Sequence, residues 1–447
     1  MAFLKYTTNF EMRQRSRVKS GRSPTMKFVG LEALLFTALF AGSALSIIPP
    51  YREGSASTAS FISNRGNNTR LSLRTPTRKL VDSRRGGYKT RLLHEELCRF
   101  ETDAMCKEMD EAMQSQARRS LQIARTSGEL KVLVLLIQFK DHDDREMIPR
   151  DDLEYLFNGE GRTEIAPTGS VKSYMRINSY GKFNMKATIT EWVKIDKTEK
   201  ECSFGNSGLD RRFQECVWPA LDALEARHKD PTDDFTWDDF DVNYDGFMDS
   251  VVVLHSGYSA EYGDVDPDGA DDQSRIWSHT VGAQPNRWKS PSFLIDIGYY
   301  CVTSAYRGIR GEQIARIGIL VHEILHTLGL PDLYDLTRTD RGGGTGQFSS
   351  MSNPWGQGND PTLPGHLDPW SKIKLGWVEP IQITQNQEIT IKASELVPDI
   401  LIIDRPFPQE EYLLIENRQP LHYDANMWSG GLLVWHIDDS VVRAIIF

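Results

Sequence analysis

His322-Glu323-Ile324-Leu325-His326-Thr327-Leu328-Gly329-Leu330-Pro331-Asp332 is the stretch on which the reading of this chain turns. Leading into and through it, Ile314, Ile317, Val321, Leu325 and Leu328 recur at the spacing of one helical face, so a helix over 312–328 is expected. Two histidines four apart on a helix stand one turn above the other. Both imidazoles can then reach one zinc ion, and the acid beside the first can hold a water against it. Gly329 can take the left-handed conformation that caps a helix, and Pro331 cannot continue one. Such a turn can swing Asp332 back toward the metal. One buried histidine would mean little, but the pair, the Glu, the Gly stop and the acid beyond it occur together.

Outward from this stretch, the charge of the 447-residue chain is unevenly spread. Residues 1–91 carry 17 Lys and Arg against 4 Asp and Glu, and residues 92–447 carry 35 against 58. An acidic body argues against nucleic acid as a main ligand, since phosphate binding relies on clustered Lys and Arg, and it favours bound cations. Within the basic leader, Lys27 precedes an apolar run from Phe28 to Phe40, and Ala44-Leu45-Ser46 is a small-x-small site. This is the layout of a secretory signal peptide over 1–46, with Met26 as an alternative start. The competing reading is a membrane anchor formed by residues 28–46, although the apolar run is short for a bilayer span.

Residues 47–125 read as a propeptide. Its first part, 53–91, is rich in Ser, Arg, Gly and Asn and poor in large apolar groups, as in a disordered linker, and it holds the sequon Asn67-Asn68-Thr69. From His94 to about Ala124 the composition is helix-forming, ending near the basic pair Arg118-Arg119 and Arg125, where a processing protease can cut. An ordinary N-terminal helix that is never removed is the alternative. The body, 126–447, opens with Leu130–Phe139, a near-continuous apolar run expected for a strand buried on both faces. Ser250–His255 is a second such strand, and 171–195 reads as helix, Ser-Tyr-Gly turn and strand.

HEILHTLGLPDLYD at 322–335 resembles the zinc signature of the immune inhibitor A family of secreted metallopeptidases. GSVKSYMRINSYGKF (169–183), DVNYDGFMDSVVVLHSGYSAE (241–261), IWSH (276–279), GQFSSMSNPWG (346–356), LDPWSKIKLGWVEP (367–380), EEYLLIENRQP (410–420) and GGLLVWHID (430–438) are similar to the family in the same order. The resemblance implies an α+β, zincin or metzincin-like domain with a twisted mixed sheet, an active-site helix and a Met-turn-like segment at Met351. It implies His322, His326 and Asp332 as zinc ligands and Glu323 as general base. Asn353 stands where many metzincins have a tyrosine, so no transition-state-stabilising tyrosine is assigned, and Tyr334 and His279 are the remaining candidates. The implied protein is a secreted zinc endopeptidase, made as a zymogen, that takes protein or peptide substrates and is inhibited by its own propeptide. The rival from another class is an inactive zinc- and calcium-bearing binding protein, against which the intact Glu323 speaks.

Asp241, Asn243, Asp245 and Asp249 place oxygen ligands around Gly246, in the manner of a Ca²⁺ loop. Val252 at the twelfth position departs from an EF-hand, and the resemblance supports a family-type calcium loop. A second acidic cluster, Asp264, Asp266, Asp268, Asp271 and Asp272, reads equally well as a second ion site or a solvated loop. Of five cysteines, Cys202 and Cys216 are the best disulfide pair, fixing a surface loop. Cys98 and Cys106 lie eight apart, about 12 Å along a straight helix, too far to pair. Either could instead ligate zinc and keep the zymogen latent; Cys301 is the fifth. The chain ends at Phe447 soon after a segment beyond which the family typically continues, so a shortened catalytic domain is expected.

Overall fold

A computed structural model describes residues 25–29, 128–228, 235–283, 288–290, 295–311, 313–334 and 344–442. Most of the expected signal peptide, the linker with its sequon, the propeptide helix, Cys98 and Cys106 lie outside the described residues. Within the leader, Thr25–Val29 forms a strand antiparallel to Glu388–Lys392.

The centre of the fold is a mixed sheet. Strand β1 (Glu129–Gln138) runs parallel to β2 (Asn184–Ile189), to the short β3 (Val193–Lys194) and to β4 (Ser250–His255). Strand β5 (His279–Gly282) reverses direction, ending the sheet beside β6 (Tyr299–Ser304), which is itself parallel to β4. Because side chains alternate along a strand, a sheet covered on both sides needs apolar residues at every position. That requirement explains the run in β1. Val132, Val134 and Leu136 enter one core with helices α1 (Arg150–Asn158) and α2 (Val171–Asn178), while Leu133, Leu135 and Ile137 enter another with α3 (Gln214–Arg227).

Helix α4 (Ile317–Thr327) lies on the first of these faces, and ten of its eleven residues are buried. Ile317, Leu320, Val321, Ile324 and Leu325 join the core of α1 and α2. Burying each of these side chains stabilises the fold by about 1.5–3 kcal/mol, ample to hold a helix that also carries four buried polar residues. At its start Gly318 donates its N–H to Pro361 O at 2.8 Å, and a Cβ there would fall 2.2 Å from Pro354 O. Only glycine lets the 354–361 loop approach so closely. At its end Gly329 has φ 85°, its N–H reaches His326 O (2.8 Å), and Leu330 N–H reaches Leu325 O (3.2 Å). These two bonds are the Schellman cap, which closes the last turn and reverses the chain toward Asp332.

Beyond Met351 come α5 (Pro369–Lys374), with Asp368 as its N-cap, and a separate four-stranded sheet. Its strands Ile381–Gln382, Leu401–Ile403, Glu411–Arg418 and Gly431–Asp438 pack a small core of Ile383, Ile391, Leu401, Ile403, Leu413 and Ile415. In the larger core, Trp370, Leu414 and Trp435 join this C-terminal part to α4.

Candidate metal centre

His322 and His326 project from one face of α4, and the capped turn returns Asp332 to meet them. His322 Nδ1 lies 2.8 Å from Ser350 O, and His326 Nδ1 lies 2.7 Å from Leu330 O. A carbonyl only accepts, so each Nδ1 carries its ring's proton and each Nε2 offers a lone pair in the neutral ring. The two Nε2 atoms are 3.2 Å apart, and Asp332 Oδ1 is 3.2 Å from one and 3.4 Å from the other. Ligand atoms around a tetrahedral zinc at its usual bond lengths are separated by about 3.3 Å, so the trio fits that ion. Asp332 Oδ1 is buried and has no hydrogen-bond donor. Among the described residues, these three form the one group of His, Cys, Asp or Glu side chains gathered tightly enough to hold a metal.

The electrostatics agree with the geometry. Burial works against a protonated His322, but the Asp332 carboxylate outweighs it and lifts that imidazole to about 9. Burial likewise works against an ionised Asp332, yet the two imidazoles hold it well below the usual carboxylate range. A buried place that draws positive charge this strongly is one where a cation can displace the proton.

Glu323 points toward β5, with Oε2 2.8 Å from Thr280 Oγ1. Burial raises its carboxyl above the usual range, partly offset by His322 and His326. Thr280 escaped the sequence reading because nothing near it marks it; the pairing of β5 with β6 at Thr280 and Cys301 puts it there. Met351 is fully buried in the core of α4, and its carbonyl accepts from Leu333 N–H at 2.9 Å, tying this turn to the segment that carries Asp332. Ser350, just before it, supplies the carbonyl for His322, and Tyr174 Oη lies 2.7 Å from Ser350 Oγ and 2.9 Å from Gly365 O. Tyr174 and Ser350 were also missed, since second contacts of a ligand leave no spacing signal. His279 faces the opposite core, edge-on to Phe213, with Nδ1 2.7 Å from Trp277 O. Tyr334 follows Asp332 by two residues, at the edge of the described segment.

In the acidic loop, Asp241 accepts N–H bonds from Asp245 (3.0 Å) and Gly246 (2.8 Å), and Asn243 accepts from Asp245 (3.3 Å). Asp245 accepts from Phe247 (3.0 Å) and Asp249 from Val242 (3.3 Å). Asp245 Oδ2 and Asp249 Oδ2 are buried without partners, and burial pushes the Asp249 carboxyl up to about 7. The carboxylates of this loop are not gathered as tightly as His322, His326 and Asp332. Cys202 and Cys216 are joined by a disulfide. Both are fully buried in the core of α3, so the bridge is an interior staple there and not a surface tie. Cys301 is a free buried thiol on β6.

Residues 121–378 match the family model for the catalytic domain of the immune inhibitor A peptidases, family M6. The chain belongs to that family. The matched region contains the whole mixed sheet, α4, the His322–His326–Asp332 trio and Met351, and it ends before the second sheet. Immune inhibitor A of Bacillus thuringiensis subsp. alesti is 26% identical over 273 residues, 54% of this chain and 39% of that protein. Pre-pro-metalloprotease PrtV of Vibrio cholerae serotype O1 (strain M66-2) is 25% identical over 307 residues, 58% of this chain and 31% of that protein. The chain therefore spans well under half the length of these curated relatives. Among the described residues no helix is long and apolar enough to cross a membrane.

Proposed function

We propose that this member of the immune inhibitor A family is a secreted zinc endopeptidase with a metzincin-like domain, made as a zymogen, that hydrolyses peptide bonds in proteins. The observation that carries the reading is the convergence of His322 Nε2, His326 Nε2 and Asp332 Oδ1 at 3.2–3.4 Å, beside a buried Glu323. Three protein ligands suit a catalytic zinc, which keeps one coordination position open and supplies Lewis acidity toward a water and a peptide carbonyl. Glu323 then acts as general base. Its carboxylate is anchored by Thr280, is raised above its ordinary range, and can take a proton from water and pass it to the leaving amine nitrogen. Ser350 O and Leu330 O keep both imidazoles in the tautomer that leaves Nε2 free.

The calcium reading of Asp241, Asn243, Asp245 and Asp249 draws support from the two partnerless buried oxygens, and Ca²⁺ there would steady the loop that leads into β4. Removal of the leader and propeptide accompanies secretion in this reading. Its test is Glu323→Gln in the secreted protein. Casein hydrolysis should fall by at least about 10²-fold, the usual contribution of a general base, with zinc content near one per chain. Undiminished proteolysis in that variant would refute the assignment. A wild-type protein that binds zinc and cleaves nothing would support a binding role instead.

A further inference from the structure

A second carboxylate is anchored two residues along the chain from the anchor of Glu323. Glu261 lies in the short turn Ala260–Tyr262 that follows β4. Its Oε1 accepts from Ser278 Oγ at 2.7 Å and its Oε2 from Ser278 N–H at 3.3 Å. Ser278 Oγ is also 2.8 Å from Thr303 Oγ1; its one proton serves Glu261, so the Thr303 hydroxyl donates to it. Ser278 immediately precedes the edge strand β5 and lies two residues before Thr280, so the two side chains fall on the same side, the one toward α4. Thr280 holds Glu323 and Ser278 holds Glu261, which spaces their anchors about 7 Å apart, one residue pair along an extended chain.

No Lys, Arg or His among the described residues forms an ion pair with Glu261, although its side chain is only partly open to solvent. Burial and the neighbouring Glu323 both raise its carboxyl, and no cation is among the causes that act on it. An anchored carboxylate with no countercharge is costly to keep ionised unless an incoming group brings the charge.

We propose that Glu261 is a specificity-determining residue that takes the cationic side chain of a substrate Lys or Arg close to the scissile bond. The proposal rests on the peptidase reading above and names the substrate class of that site. Ser278, itself paired with Thr303, fixes the carboxylate beside the edge strand, and the cation supplies the countercharge that Glu261 lacks. A substrate without that charge leaves Glu261 unpaired, which is the usual origin of strong discrimination by a buried polar site.

The test measures kcat/KM for N-acetylated peptides that carry Arg, Lys, Gln or norleucine at each position flanking one bond; acetylation keeps a free α-amine from serving as the cation. Wild type should favour Arg and Lys over Gln at one position by at least about tenfold, the low end for a charge-assisted hydrogen bond. In Glu261→Gln that ratio should collapse to about one. Loss of overall activity with the ratio kept would show a merely structural role and overturn the proposal, as would a wild type without basic preference. If Glu261→Gln does not fold, Ser278→Ala, which keeps the charge but loosens its aim, should lower the same ratio, and an unchanged ratio overturns the proposal. No hydrolysis of any peptide overturns the peptidase reading and this proposal with it, whereas hydrolysis without basic selectivity overturns this proposal alone.

Discussion

Replacing Tyr174 by Phe should weaken zinc binding without touching a ligand. Tyr174 is fully buried on α2, and its oxygen links Ser350 Oγ at 2.7 Å to Gly365 O at 2.9 Å. Since Gly365 O can only accept, the phenol donates to it and the Ser350 hydroxyl donates to the phenol. Phenylalanine fills the same space and leaves both groups buried without this partner. Leaving such a group unsatisfied costs about 1–3 kcal/mol. For domains of 150–250 residues that is about 2–4 °C of Tm per kcal/mol, and the larger fold here should shift no more. Ser350 also presents the carbonyl that orients His322 at 2.8 Å, so a loosened residue 350 misaims the ligand. Changes at such supporting contacts lower metal affinity about 10–100-fold. Chelator competition on the purified protein would measure the zinc dissociation constant, and differential scanning fluorimetry the stability. A Tyr174→Phe protein that loses stability but binds zinc within about twofold of wild type would refute the positioning argument. Unchanged stability would refute the hydrogen-bond assignment itself.

Gly318→Ala should destabilise by about 1–3 kcal/mol: alanine is the better helix former by about 1 kcal/mol, but its Cβ would sit 2.2 Å from one backbone carbonyl and 2.7 Å from another. A denaturant midpoint at or above that of wild type would show that the 354–361 loop yields freely. The acidic loop predicts a pH-dependent calcium effect. Because burial raises Asp249 to about 7, the folded state holds that proton more tightly than the unfolded chain, and the resulting stability is lost as pH rises from about 4 to about 7. Above that range the ionised loop lacks countercharge. Millimolar Ca²⁺ should therefore raise Tm more at pH 8 than at pH 5, and an equal shift at both would count against the site.

What was legible in the sequence was local. The spacing of His322 and His326, the Gly329 stop and the apolar run of β1 each follow from periodicities of 3.6 or 2 residues, which a chain displays without knowing its neighbours. The helix begins at Ile317, later than the expected 312, because the turn before α4 is used by the short strand Gln313–Ile314 paired with Tyr306–Arg307. The α+β expectation named a mixed sheet, and the sheet is mixed, but five of its six strands are parallel, with helices on both faces. Strand pairing between distant segments has no local period to betray it, so the C-terminal sheet beyond Met351 was not foreseen as a unit.

The sequence alone determined which residues could bind a metal and which acid stands beside them, since helical spacing places His322, Glu323 and His326 on adjoining positions of one surface. Only the tertiary structure decided what surrounds them. Ser350 and Leu330 choose the tautomers, Thr280 anchors Glu323, and Ser278 aims Glu261, each through a contact between residues 17 to 43 apart in the chain, except the cap carbonyl of Leu330. Orientation depends on such closures because a hydrogen bond needs its partner within about 3 Å, and only packing of the sheet against α4 brings these partners that near.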